Sequence, residues 1–112
     1  MDRTLFVITS APGSPEALRA LAVACALDDQ AREVRLALLQ DAVLAAVQHN
    51  QTPAAQVVSK FLAQGVAVYV AHQDLTLRGV SPDDLTPGVT AVDDRRLVDE
   101  MLADGTKTLG CF

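Results

Sequence analysis

Cys25 and Cys111 are the only two thiols of the chain, and the only histidines are His49 and His72. No pair of these residues has the close spacing of a metal-binding array, so the sequence offers no metal site. A thiol attacks as its thiolate, and a reactive cysteine needs exposure together with a nearby cation or helix N-terminus. Cys25 lies at i+4 from Leu21 and i+7 from Leu18, on an apolar helical stripe where a thiol behaves as a small inert hydrophobe. Cys111 ends the segment TKTLGCF; its nearest cation in sequence, Lys107, is roughly 13 Å away along an extended strand. Both remain weak candidates for sulfur chemistry. His49, in the polar turn QHNQTP, reads as a solvated loop residue. His72 follows the apolar run GVAVYV and reads as a surface or helix-start histidine ahead of a general base. Asp83–Asp84 and Asp93–Asp94 fit turn and helix-cap positions better than paired catalytic carboxylates. SAPGSP has one glycine and no lysine, so it is neither a Walker loop nor a dinucleotide fingerprint.

The elements that position these residues alternate between strand and helix. RTLFVITS (3–10) is a short apolar run stopped by APGSP. Ser14, Pro15 and Glu16 then form a helix start: a capping hydroxyl, a first-turn proline and an acid near the positive helix end. That helix is expected to run to about Asp29. EVRLALLQ (33–40) is the second strand, and DAVLAAVQ a short helical piece. Thr52 caps a helix from Pro53 to about Gln64, and GVAVYV (65–70) is the third strand. SPDDLTPG is loop by composition. VTAV (89–92) is the fourth strand, DDRRLVDEMLAD (93–104) a capped helix and TKTLGCF a short fifth strand. Val57, Val58, Phe61 and Leu62 form one helical stripe, as do Leu97, Val98, Met101 and Leu102, which suits helices lying on a sheet.

With 112 residues, half of them apolar and only 4% aromatic, the chain is expected to form one domain over residues 1–112 with a Val, Leu and Ala core. A formal charge of −5 argues against direct nucleic-acid binding through a basic face. No apolar run is long enough to span a membrane, and the first residues do not read as a signal peptide, so a cytoplasmic protein with free thiols and no cofactor is expected. The helix LRALAVACAL (18–27) is apolar nearly all round, which predicts cover by another subunit. Strands read as continuous apolar runs between helices imply an α/β fold with a parallel sheet wrapped on both faces. A flavodoxin-like five-stranded sheet of order 2-1-3-4-5 is the arrangement expected. Ligands of such sheets bind beyond the carboxyl ends of the strands, where strand order reverses. In this order that edge gathers Ser10 with Thr9, Gln40 with Asp41, and Ala71 with His72 and Gln73.

LALLQDAVLAAV (36–47), VYVAHQDLTLRGV (68–80) and DLTPGVTAVDDRRLVDEML, in this order and register, resemble the DsrE/DsrF/DsrH family of sulfur-relay proteins. The similarity spans nearly the whole chain and is greatest to the DsrH/TusB type. The resemblance implies homo- or hetero-oligomers with DsrE/DsrF-like subunits and roles in tRNA thiolation or sulfur oxidation. Catalytic members carry a persulfide-forming cysteine just after strand three, a few residues before an Arg-Gly pair. Counting back from Arg78–Gly79, Ala71 occupies that place, which implies a non-catalytic partner subunit. The alternatives are a stand-alone homo-oligomer binding a small ligand at the Ser10, Gln40 and His72 edge, and a sulfur carrier using Cys111 or Cys25.

Overall fold

The computed structural model describes residues 2–112. Its strands are β1 (Arg3–Ile8), β2 (Glu33–Leu38), β3 (Ala67–Ala71), β4 (Thr90–Val92) and β5 (Thr106–Leu109). The helices are α1 (Pro15–Asp29), α2 (Pro53–Ala63), α3 (His72–Leu77) and α4 (Asp94–Met101), with 3-10 segments at Gln40–Ala46 and Pro82–Asp84. The helix starts follow from side-chain caps: Ser14, Thr52 and Asp93 accept from the N–H groups of Ala17, Ala55 and Arg96, each satisfying a donor that the first helical turn leaves unpaired.

All strand pairs are parallel, and the sheet order is β4-β3-β2-β1-β5. The parallel five-stranded α/β architecture is as expected, but the order 2-1-3-4-5 is corrected to 4-3-2-1-5. From β1 to β4 every crossover steps one place in the same direction, so right-handed connections put α1, α2 and α3 on one face. The last crossover, through α4, returns past β1 and lies on the opposite face. The helix-rich face holds the larger core, with Phe6, Leu36, Val58, Phe61 and Val70 fully buried. The α4 face holds a smaller cluster of Leu5, Val7, Ala37, Tyr69, Val92 and Leu97.

One short helix cannot cover a five-stranded face. Near the amino ends of the strands, charged side chains take over. Arg3 pairs with Glu33 at 3.1 Å, Arg35 with Glu33 at 3.2 Å and with Glu100 of α4 at 3.0 Å, and Arg96 with Glu100 at 3.3 Å. Arg96 also stacks over the Tyr69 ring. The ion pairs tie α4 to β2, and the Arg96–Tyr69 contact ties it to β3, where apolar packing ends.

Candidate functional site

Because the loops leaving β1, β2 and β3 all lead to one face and the loop leaving β4 leads to the other, adjacent strands part company between β3 and β4. That is where an open α/β sheet leaves a crevice at its carboxyl edge. A cleft of about 320 Å³ lies there, lined by His72, Gln73 and Thr76 of α3 and by Asp93 and Asp94 at the start of α4. Ala71 ends β3 beside it, paired in register with Val92 and 5% exposed. The expected crevice between the first and third strands is therefore corrected: β2 stands between them.

This order splits the expected edge into separate groups. Ser10 donates its hydroxyl to the main-chain oxygen of Phe112 at 2.7 Å and faces the chain's own tail. Gln40 adopts a left-handed backbone, φ 52°, and its N–H donates to Asp74 Oδ2 at 2.8 Å. Asp41 accepts from Arg78 Nε and Nη2 at 3.0 and 2.8 Å, while Arg78 Nη1 donates to the Asp74 carbonyl. Arg78 and Asp74 thus tie α3 to the loop after β2. His72 begins α3 and lines the β3–β4 crevice with Gln73. Asp93 spends one carboxylate oxygen on the Arg96 N–H. Of the expected residues Ala71, His72 and Gln73 share the β3–β4 rim; Thr76, Asp93 and Asp94 join them because the connections after β3 and β4 leave to opposite faces there.

Neither thiol reaches this crevice. Cys25 is eleven residues into α1, which runs back from the carboxyl edge, so it lies about 15 Å along the helix from that edge. Half-buried on the core, its thiol is pushed above its ordinary value of 9.0, chiefly by burial; Lys60 opposes that shift, and Asp29 and Asp28 add to it. Cys111 is exposed. It follows β5, three strand spacings from β3, on the order of 14 Å. In the expected order 2-1-3-4-5 only β4 would separate β3 from β5, about 10 Å; the observed order puts β2 and β1 between them instead.

The exposure of Cys111 has a local cause. Phe6 pairs with Leu109, and beyond it the Phe112 N–H donates to the Val7 carbonyl while the Thr9 N–H donates to the Phe112 oxygen. Ile8 therefore opposes Phe112, so the tail carries one more residue than β1 between the two pairings. An extra residue bulges out of the ladder. Gly110 makes the bulge possible, since a Cβ there would come within 2.7 Å of Val7 Cβ. The tail is pinned, and the thiol projects from it.

No group of three or more His, Cys, Asp or Glu residues among the described residues could hold a metal ion. Among the described residues no helix is long and apolar enough to cross a membrane.

The family model described as "DsrH like protein" matches residues 14–106, from the cap of α1 to the start of β5. The chain belongs to the DsrH-like family. It is similar along its length to the ychN protein from E. coli, whose crystal structure gives a TM-score of 0.83 at 28% identity over 97% of this chain and 100% of that one. The protein of unknown function MTH1491 from Methanobacterium thermoautotrophicum shares the fold, with a TM-score of 0.77 at 19% identity over 97% of this chain and 98% of that one. No curated protein matches the chain.

Proposed function

We propose that this DsrH-like protein is a non-catalytic subunit of a cytoplasmic sulfur-relay complex, of the kind that serves tRNA thiolation or sulfur oxidation. It would work beside DsrE/DsrF-like subunits that carry the sulfur. The observation that carries the reading is Ala71, a methyl group at the end of β3 where the resemblance places the family's carrier cysteine. Alanine cannot form a persulfide. Persulfide transfer needs a thiolate that attacks the outer sulfur of the donor, forming a new S–S bond as the donor's S–S bond breaks and the donor leaves as thiolate. Cys25 is half-buried with its thiol held protonated, and Cys111 is too far away to serve the Ala71 position. A freed tail does not close the gap: two residues beyond Leu109 span at most about 7 Å, against roughly 14 Å. The open crevice lined by His72, Gln73, Thr76, Asp93 and Asp94 is then where a sulfur carried by another chain would be received.

The test is mass spectrometry of the purified protein after treatment with a cysteine-desulfurase persulfide donor. Mostly unmodified wild type is expected, with a single added sulfur in Ala71→Cys. Stoichiometric persulfide on wild-type Cys111, abolished by Cys111→Ser, would make the protein a carrier and overturn the subunit reading.

A further inference from the structure

The last residues of the chain fold back on β1 in a way that the relay reading does not use. Three donors converge on one oxygen: the Thr9 N–H at 3.3 Å, the Ser10 N–H at 3.2 Å and the Ser10 hydroxyl at 2.7 Å all point to the main-chain oxygen of Phe112. The Phe112 N–H returns a bond to Val7 at 3.0 Å, and the Phe112 ring rests on Phe6 with centroids 6.2 Å apart. The bulge at Gly110 and Cys111 separates these bonds from the β5 ladder, which ends at Phe6–Leu109. β5 itself is an edge strand with one neighbour. Phe112 is 37% exposed, whereas the Phe6 beneath it is fully buried. The contacts of residues 110–112 are thus few, peripheral and interrupted from the ladder, as expected of a segment that opens before the core does.

We propose that residues 110–112 are a releasable strap, opening as a unit ahead of the sheet. Closed, the strap's Phe112 oxygen fills a site of three donors, built from Thr9 and Ser10, that takes a carboxylate oxygen when the strap is off. Opening frees both amides and the Ser10 hydroxyl at once, and it releases the bulged Cys111 from its fixed position. The site differs from a helix end: α1 begins only at Pro15, and the three donors lie on the strand exit and the loop after it.

Amide hydrogen exchange followed by NMR on the full chain tests the opening. The Thr9, Ser10 and Phe112 amides should share one protection factor, well above a free peptide's and at least about tenfold below that of Leu36 and Leu38 in the central strand β2. Ser10→Ala removes one donor, so all three should speed up together, roughly fivefold, while Leu36 and Leu38 stay unchanged. Exchange of the three amides with the core, at free-peptide rates or at three unrelated rates overturns the strap. Acetate tests the donor site. In Phe112→Ala, which loses the ring contact, acetate should shift the Thr9 and Ser10 amide resonances saturably, and at least about tenfold more weakly in the wild type, where the strap competes. No saturable shift in the variant, or equal shifts in both, overturns the competition; β2 protection in the variant checks that the sheet is intact.

Discussion

Cys25 and Cys111 show how far position governs a thiol. Cys25 packs on the core with its thiol pushed above 9.0 by burial, and Cys111 projects from a bulge into solvent. Native alkylation with iodoacetamide near pH 8 should therefore label Cys111 first and Cys25 on the order of tenfold more slowly. Equal rates would mean that α1 does not bury its stripe. The raised value also has a stability consequence. The folded state holds the Cys25 proton more tightly than the unfolded chain, so the contribution is fully present below 9.0 and is lost as pH rises through the folded value. Urea midpoints should fall more steeply above pH 9.0 in wild type than in Cys25→Ser. The inertness of Cys25 follows from its i+4 neighbour Leu21, which is buried, whereas its i+7 neighbour Leu18 is exposed. The presentation of Cys111 does not follow from its neighbours in sequence, because the bulge depends on Gly110 meeting Val7 across the sheet.

At the scale of elements, caps and stripes explain where helices begin and which side they bury. Ser14, Thr52 and Asp93 all cap as their positions suggest. Of helix α3 only the start is legible, at His72 as a surface or helix-start position: residues 72–77 make a six-residue helix with no side-chain cap, too short for periodicity to mark. Helix α4 ends at Met101 rather than near Asp104, and Leu102 is left 76% exposed. Its hold on the sheet combines Leu97 with Glu100, whose carboxylate meets both Arg35 and Arg96. Glu100 is only 16% exposed and Arg35 26%, so screening is incomplete and the pairs count for more than ordinary surface pairs. Glu100→Gln should lower stability by about 1 kcal/mol, read as a shifted denaturation midpoint with an unchanged slope. A shift of the same size in Arg19→Gln, which has no such partner among the described residues, would remove the argument for the network.

For the whole molecule, the outer side of α1 is the surface that calls for a partner. Leu18 is 37% and Val23 46% exposed on a helix whose other side already covers the sheet. Self-association through this helix is expected when the protein is purified alone. Val23→Glu places a charge on the exposed side at little cost to the fold, and sedimentation should shift toward a smaller species while far-ultraviolet circular dichroism stays the same. A wild type that sediments as a monomer at micromolar concentration, or an assembly untouched by Val23→Glu, would locate the contacts elsewhere.

Local sequence determined the elements, their caps and the parallel α/β class, because apolar periodicity and helix starts are short-range properties. The family match covers the stretch in which the quoted segments lie. Strand order was decided only in three dimensions, since several right-handed arrangements bury the same apolar strands equally well. One trace of it is present in the sequence: Glu33 and Arg35 alternate with Val34 and Leu36 along β2, which marks a face that helices do not fully cover. The candidate site moved with the order. Ser10, Asp41 and His72 all stand at strand exits, as their positions predict, yet β2 parts Ser10 from His72, and the crevice opens where β4, not β1, runs beside β3. Which residues face one another across such an edge is set by the path of the crossovers, and no single stretch of sequence carries that information.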